Sequence, residues 1–245
     1  MSLTATQAER YRRHLLLREV GAQGQQLLLG AAVLVVGAGG LGCPALPLLV
    51  GAGVGRVTIC DGDVVETSNL HRQTLYRPGD EGRAKAEVAA ERLAGLNPDV
   101  AVGTVTAYLT QANADDLVAG HTLVLEGLDR FAPRYVLNAA CLRASVPLVT
   151  AAAQRFSGQA ALLTPGVGPC YACLVPEAPD DEVACEREGV LGSTTGVIGA
   201  YAAGLALMHL AGRDVAGRLS IWEGLAGTMR TVRLPRDPGC PVCGV

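Results

Sequence analysis

A glycine-rich turn near the start of the chain offers the first chemistry. Gly37, Gly39 and Gly42 have the spacing G-x-G-x-x-G directly after the apolar run AAVLVV, and Gly40 lies in the same loop. In this motif the first glycine permits a tight turn, the second lets backbone approach phosphate, and the third lets a helix pack against its strand. The helix amino terminus adds N–H donors for an anion. The motif predicts nucleotide binding without separating NAD from ATP; the alternative is a turn whose glycines serve packing alone.

The residues after the second predicted strand favour ATP. Asp61 lies 19 residues after Gly42, where a ribose-binding carboxylate is expected. Arginine grips phosphate through a planar fork and lysine acts as a point charge, so the following polar loop is typical of a triphosphate clamp rather than a dinucleotide site. The candidate residues are Asp63, Asn69, Arg72, Gln73 and Lys85. The competing interpretation of this loop is a solvated surface segment.

A further carboxylate follows a later predicted strand. Asp129 stands in the segment VLEGLDR, where the strand ends and a helix soon begins. A carboxylate at that place can hold Mg²⁺ beside the phosphates of a nucleotide. The alternative role for Asp129 is that of an ordinary residue at the entry to a helix.

Four of the eight cysteines form two C-x-x-C pairs, Cys170 with Cys173 and Cys240 with Cys243. Two such pairs predict a tetrahedral Zn²⁺ site of four thiolates, which would fasten the carboxyl-terminal tail to the loop around 165–175. A closed shell of four protein ligands leaves no open position, so this zinc would be structural. The alternative, a pair of redox motifs, lacks the usual thioredoxin-type context.

The remaining cysteines divide by their surroundings. Cys43, Cys60 and Cys141 lie within apolar segments and are interpreted as packing residues. Cys185 lies in the acidic loop PEAPDDEVACEREGVLGS, where negative neighbours raise a thiol pKa and disfavour the reactive thiolate. Arg187 is the one nearby cation that opposes this effect.

The pattern of apolar runs predicts an α/β fold with one continuous sheet, parallel in its amino-terminal part and antiparallel after about residue 155. Thr4-x-x-Gln7 and Thr6-x-x-Glu9 both fit a capping box, so a helix is expected to begin near residue 5. Its apolar face would consist of Tyr11, Leu15, Leu16 and Val20.

Composition excludes some classes of partner. The 245 residues carry a net charge of −3, which gives no electrostatic case for nucleic acid or an anionic membrane. The amino terminus lacks the apolar core of a signal peptide. The apolar stretch 33–55 contains several glycines and two prolines, which is typical of strand, turn and helix rather than of a membrane span. We therefore expect a cytoplasmic protein.

Taken in order, several segments resemble the MoeB/ThiF family of E1-like enzymes, which activate ubiquitin-fold sulfur carriers. They are RYRRHLLL, VLVVGAGGLGCP, DGDVVETSNLHRQTLY, GRAKAEVAAERLAGLNP, PCYACL, CEREGVLG and PGCPVCG. The resemblance covers essentially the whole chain. It implies one Rossmann-like adenylation domain over 1–245, with amino-terminal helices in 1–30, an ATP-binding part in 31–155 and a zinc-stapled, carrier-binding part in 156–245.

The resemblance also implies a reaction and the residues that perform it. ATP adenylates the carboxyl-terminal Gly-Gly carboxylate of a small carrier protein and pyrophosphate is released. The matching positions are Arg13, Gly39, Asp61, Asp63, Asn69, Arg72, Lys85 and Asp129. Arg13 would reach the ATP of a second subunit, which implies a homodimer, and Cys185 matches the loop cysteine of the family.

The chain departs from the family pattern in three respects, the first being that GVLGSTTG lacks the proline often seen after the loop cysteine. It reads LEGLDR where relatives often read Asp-x-x-Asp-Asn, so Glu126 and Arg130 are altered neighbours of the Mg²⁺ site. No rhodanese-like segment follows within the sequence, so sulfur transfer would need a separate donor.

Three other hypotheses remain. An NAD-dependent oxidoreductase explains the glycine loop but not the cationic clamp or the zinc ligands. A zinc-stapled binding module without catalysis is the second, and a tRNA-modifying adenylating enzyme is the third, although the basic surface that tRNA requires is not evident. The sequence names neither the carrier nor its pathway.

Overall fold

One eight-stranded sheet runs through the described part of the chain, which is residues 3–177 and 189–244 of a computed structural model. The strands are β1 Ala32–Val36, β2 Arg56–Cys60, β3 Ala101–Val105, β4 Leu123–Glu126, β5 Leu148–Gln154, β6 Ser157–Leu163, β7 Arg218–Glu223 and β8 Thr228–Arg233. Their order across the sheet is β3-β2-β1-β4-β5-β6-β7-β8. The pairs from β3 to β5 are parallel and those from β5 to β8 are antiparallel. This confirms the predicted α/β fold with its mixed sheet.

Helices cover both faces of the sheet. They are α1 Ala5–Arg10, α2 Arg12–Leu15, α3 Gly21–Gly30, α4 Gly42–Gly51, α5 Lys85–Leu93, α6 Ala114–Val118, α7 Phe131–Ala144, α8 Tyr171–Leu174 and α9 Gly192–Leu210. Successive side chains of a strand point to opposite faces, so Val33 and Val35 pack with α4, α5 and α9, while Leu34 and Val36 pack with α6 and α7. Among the described residues, no helix is long and apolar enough to cross a membrane.

The amino-terminal segment differs from the single amphipathic helix that the sequence predicts. The capping box at Thr4 and Gln7 is confirmed, but the helix is interrupted at Tyr11, between α1 and α2. Tyr11 is buried, as predicted, and its hydroxyl donates to Asp99 at 2.9 Å. The expectation that Leu16 is buried is wrong: its side chain is 68% exposed, because α2 ends at Leu15 and the helical period does not continue.

The glycine loop joins β1 to α4 by a close backbone approach. Gly37 has a φ of +95°, which favours glycine because a side chain would clash in this conformation. A Cβ atom placed on Gly42 would lie 2.1 Å from the carbonyl oxygen of Gly37. The first turn of α4 therefore packs directly against the end of β1, with no room for a side chain between them.

This contact generates a stability prediction. Gly42→Ala forces a methyl group against rigid backbone, and such overpacking should lower the free energy of unfolding by about 1–3 kcal/mol. Urea unfolding followed by circular dichroism measures the change. Gly51→Ala, in the same helix, is the matched control, because a Cβ there meets nothing within 4 Å. We expect the control to be neutral or to stabilise by up to about 1 kcal/mol. Equal effects of the two substitutions would contradict the close approach.

Candidate active site and metal centre

The glycine loop has one open side and one packed side. A Cβ on Gly39 would meet a single heavy atom of the described residues within 4 Å, Gln73 Nε2 at 3.6 Å. A Cβ on Gly40 would instead lie 3.1 Å from Thr195, in the first turn of α9. The backbone at Gly39 is therefore accessible to a ligand, at the amino terminus of a helix that favours anions.

Asp61 fastens the end of β2 to this loop. Its two carboxylate oxygens accept hydrogen bonds from the backbone N–H groups of Ala38, at 2.7 Å, and Asp63, at 2.8 Å. Burial raises the pKa of Asp61, while these two hydrogen bonds oppose the rise. The carboxylate is thus held in a fixed orientation at the edge of the loop, where the sequence predicts a ribose-binding group.

Asp63 holds the lysine of the predicted clamp. Lys85 Nζ donates to Asp63 Oδ2 at 2.9 Å, and the Tyr108 hydroxyl donates to Asp63 Oδ1 at 2.7 Å. Burial opposes ionisation of Asp63, but the hydrogen bonds from Tyr108 and Lys85 outweigh it and lower the pKa. Lys85 itself is only 5% exposed, so its charge is directed into the site rather than into bulk water.

Two amide side chains of the same loop are buried with open acceptors. Asn69 and Gln73 are 7% and 4% exposed, and neither Asn69 Oδ1 nor Gln73 Oε1 has a hydrogen-bond partner within the described residues. A buried polar atom without a partner carries a free-energy cost of about 1–3 kcal/mol, which a bound ligand could relieve. Arg72 lies between them in sequence, is half-buried, and donates to the carbonyl oxygen of Ser68 at 3.0 Å.

Asp129 is exposed in the turn that follows β4. The hydrogen bond to Asp63 is the main cause that raises the pKa of Tyr108, and the negative charges of Asp61 and Asp129 add to the rise. Glu126, three residues earlier, is 1% exposed: it accepts hydrogen bonds from the Leu128 N–H, at 2.9 Å, and from the Thr150 hydroxyl. Glu126 is therefore committed to internal contacts, which leaves Asp129 as the carboxylate of this turn that is accessible to a cation.

Eleven of the predicted residues gather at the carboxyl-terminal ends of β1, β2 and β4, where ligands bind in sheets of this kind. They are Gly37, Gly39, Gly40, Gly42, Asp61, Asp63, Asn69, Arg72, Gln73, Lys85 and Asp129. The open backbone at Gly39, the two unpartnered amide oxygens and the buried lysine together fit a phosphorylated nucleotide. An exposed Asp129 beside such phosphates fits the preference of Mg²⁺ for carboxylate and phosphate oxygens.

One predicted residue, Arg13, is not brought to this site. Tyr11, two positions before Arg13, is anchored through Asp99 and Asn97 at the amino-terminal edge of the sheet. The amino-terminal ends of the parallel strands are separated from the glycine loop by the length of one five-residue strand, roughly 16 Å. Arg13 is exposed on α2 and contacts none of the eleven residues among the hydrogen bonds and ion pairs of the described chain. Cys185 lies outside the described residues.

Two tyrosines of the site escaped the sequence reasoning. Tyr108 follows β3 and orients Asp63; its position at a strand end was the available signal. Tyr76 is buried and donates to the Ala38 carbonyl oxygen at 2.8 Å, so it helps to fix the backbone of the glycine loop. Burial raises the pKa of Tyr76 well above its ordinary value, which keeps it a hydrogen-bond donor.

The two C-x-x-C pairs form one cluster. The sulfur atoms of Cys170, Cys173, Cys240 and Cys243 all lie within 4.8 Å of one another. The Cys170–Cys240 and Cys173–Cys243 sulfur distances are 3.8 and 3.4 Å. Tetrahedral metal–sulfur bonds of about 2.3 Å place ligand sulfurs roughly 3.8 Å apart, so the cluster fits a thiophilic metal ion.

The other described cysteines are packing residues. Cys43, Cys60 and Cys141 are each at most 2% exposed within the hydrophobic core. Burial raises the pKa of Cys43 and Cys141 to about 12 and that of Cys60 to about 11. These thiols therefore stay protonated at neutral pH.

Comparison with known proteins identifies the class to which this fold and site belong. The chain belongs to the ThiF family, whose pattern it matches over residues 11–242. It is 45% identical over 248 residues to the SAMP-activating enzyme E1 of Haloferax volcanii, covering 100% of this chain and 92% of that protein. It is 42% identical over 253 residues to the sulfur carrier protein adenylyltransferase of Thermus thermophilus, covering 100% and 93%.

A solved structure supports the fold. The crystal structure of E. coli MccB with ATP superimposes with a TM-score of 0.83 at 23% sequence identity, covering 96% of this chain and 75% of that one. At that identity the likeness concerns the fold alone. The family and the relatives confirm the predicted MoeB/ThiF membership and the enzyme class, an E1-like adenylyltransferase. They favour this class over an NAD-dependent oxidoreductase.

The cysteine cluster generates a metal prediction. The purified protein should contain one metal ion per chain, measured by inductively coupled plasma mass spectrometry. Cys240→Ser should lower the metal content severalfold and destabilise the tail, since metal–thiolate sites contribute strongly to folding. A loss of only about 3 kcal/mol would lower the melting temperature by roughly 6–12 °C. Cys60→Ala, a core cysteine outside the cluster, is the control and should retain the metal. Metal-free wild-type protein would contradict the assignment.

Proposed function

We propose that this protein uses ATP to adenylate the carboxyl-terminal Gly-Gly carboxylate of a small ubiquitin-fold sulfur-carrier protein, releasing pyrophosphate. The observation that carries the proposal is the open backbone at Gly39, flanked by the unpartnered oxygens of Asn69 and Gln73 and by the buried Lys85. The names of the relatives, a SAMP-activating enzyme and a sulfur carrier protein adenylyltransferase, supply the class of acceptor.

The nucleotide roles follow from the geometry. Asp61 would bind the ribose, since its carboxylate is fixed at the loop edge and retains lone pairs for hydroxyl donors. Asn69 and Gln73 would accept hydrogen bonds from the nucleotide or its hydration shell. Arg72 and Lys85 would contact the triphosphate, and Asp63 would hold Lys85 in place through their 2.9 Å hydrogen bond.

The chemical difficulty is repulsion rather than proton transfer. A carboxyl-terminal carboxylate has a pKa of about 3.3–3.7 and is already ionised at neutral pH, so no general base is needed. One carboxylate oxygen bonds to the α-phosphorus while the bond from that phosphorus to the bridging oxygen breaks, and pyrophosphate leaves with the electron pair. Catalysis is therefore positioning and charge neutralisation by Arg72 and Lys85. Asp129 would hold Mg²⁺, which supplies further positive charge beside the phosphates.

The acyl-adenylate product is a good acceptor for sulfur, which a separate donor protein would deliver. Cys185 would act only in such a later transfer, because the adenylation step uses no thiol. The antiparallel part of the fold, 156–245, would bind the carrier, and the four-cysteine cluster would hold structural Zn²⁺ that fastens the tail to it. We place the protein in the cytoplasm and expect no nucleic-acid partner.

The distance of Arg13 from the glycine loop of its own chain supports a homodimer. α2 carries this exposed arginine near the amino-terminal ends of the parallel strands, whereas the nucleotide residues lie at the carboxyl-terminal ends of those strands. Arg13 would therefore serve the triphosphate in the partner subunit. Leu16 and Leu17, next to it in sequence, are 68% and 50% exposed, which is consistent with burial at a subunit contact.

The catalytic proposal predicts the behaviour of one conservative variant. Asp129→Asn keeps the shape of the side chain and removes the charge that would hold Mg²⁺. The ATP–pyrophosphate exchange rate with a carrier present should fall by at least about a hundredfold, or roughly 2.7 kcal/mol. Asp116→Asn, an exposed carboxylate on α6, is the control and should exchange at the wild-type rate. An active Asp129→Asn enzyme with an unchanged melting temperature would remove Asp129 from the site.

The dimer proposal predicts complementation between two inactive variants. Arg13→Ala and Asp129→Asn should each be inactive alone. After mixing in equal amounts and subunit exchange, about half of the dimers should be hybrids, each with one intact and one doubly damaged site. About a quarter of the wild-type exchange activity should then return. A mixture that exchanges subunits, shown by mass spectrometry, and stays inactive would place Arg13 in its own chain's site or outside it.

A further inference from the structure

Arg134 makes polar contacts with three structural elements, although the proposed mechanism assigns it no role. It lies in the first turn of α7 and is 7% exposed. Its Nε and Nη2 donate to the carbonyl oxygen of Leu128, with an Nε distance of 3.1 Å, and Nη2 also donates to the Ala151 carbonyl oxygen at 2.9 Å. Nη1 lies 3.4 Å from Glu126 Oε1. One guanidinium thus spans the end of β4, the turn after it and β5.

These contacts define the turn that carries Asp129. Glu126 accepts from the Leu128 N–H, and Arg134 donates to the Leu128 carbonyl, so both peptide groups of Leu128 are fixed. The next residue is Asp129, the carboxylate assigned to the divalent cation. A lysine in place of Arg134 has one nitrogen and cannot serve Glu126, Leu128 and Ala151 together, because only the planar fork presents several donors in fixed directions.

The guanidinium also contacts the segment that carries Cys170 and Cys173. Its Cζ atom lies 5.8 Å from the ring centroid of Tyr171, a cation–π contact. Tyr171 is 2% exposed, sits between two cysteines of the cluster, and packs edge-to-face on Tyr135 at 5.3 Å. Its backbone N–H donates to Asn138 Oδ1 at 2.9 Å, which fixes it on α7.

We infer that Arg134 is a positioning residue that sets the Asp129 turn for cation binding, and that Tyr171 holds Arg134 in place. The segment that carries Cys170 and Cys173 and the turn that carries Asp129 then form one coupled unit. The inference rests on the proposed function for the role of Asp129. The coupling itself concerns only contacts within this chain, and it is measurable without substrate.

The first test separates cation binding from turnover. In Arg134→Lys, the Mg²⁺ concentration that half-saturates ATP–pyrophosphate exchange should rise on the order of tenfold, with a smaller change in the rate at saturating Mg²⁺. Tyr171→Leu should raise it by roughly threefold while retaining bound metal. Arg143→Lys, at an exposed position of the same helix, is the matched control and should behave as wild type. An unchanged Mg²⁺ requirement in Arg134→Lys would overturn the positioning role.

The coupling is tested by combining the two substitutions. If Tyr171 acts through Arg134, the double variant should resemble Arg134→Lys alone within about twofold, whereas independent effects would multiply to roughly thirtyfold. A multiplicative result would overturn the link to the cysteine loop. Should Arg134→Lys fail to fold, Glu126→Gln weakens the same turn and takes its place in both experiments.

Hydrogen exchange measures the coupling when no carrier or nucleotide is present. In Tyr171→Leu, amides of the segment 127–133 should exchange about tenfold faster, while those of β1 keep their wild-type rates. Unchanged exchange at 127–133, or a uniform rise that includes β1, would overturn the inference. Failure of the proposed function would give a different result. The wild-type protein would show no ATP–pyrophosphate exchange, while hydrogen exchange at 127–133 would still be faster in Tyr171→Leu.

Discussion

The absence of a side chain at Gly42 allows α4 to begin directly against the end of β1. Because the Gly37 carbonyl lies where a Cβ would otherwise stand, the helix amino terminus and the loop backbone share one small volume. Gly39 then faces open space, while Asp61, at the end of β2, and Gln73 and Tyr76, in the following loop, contact the glycine loop from its sides. The remaining candidate residues are arranged around this backbone contact, and their own contacts depend on it.

Two ion pairs lie near that loop, and they differ in how far their side chains are exposed to solvent. Lys85 is buried and faces the half-exposed Asp63, so its positive charge is held near the loop without being fully neutralised in a closed ion pair. Glu126 and Arg134 form the opposite case, since both are buried and their polar atoms serve the internal turn before Asp129. One pair leaves a cation available to a ligand, and the other uses its charges to fix the backbone.

Local patterns predicted most of the fold and much of the candidate site. The glycine spacing, the carboxylates at strand ends and the C-x-x-C pairs are short-range signals, and the structure brings each group together. The break between α1 and α2 was not predictable, because it depends on Tyr11 reaching Asp99, a contact across 88 residues of sequence. Tyr108 was missed because its partner Asp63 is 45 residues away in sequence. Arg134 was missed although Leu128 and Glu126 are near it in sequence, because a single arginine carries no motif.

The ordering of the sheet leaves β3 and β8 as its two edges, and each edge limits self-association in its own way. Unpaired strand edges can recruit further strands and so nucleate aggregates. β8 is largely exposed and carries Arg230 and Arg233, whose like charges repel a second copy approaching edge to edge. β3 is only five residues long with Gly103 at its centre, which makes it a poor template. Both edges of the sheet are therefore poor sites for pairing with a strand of a second copy.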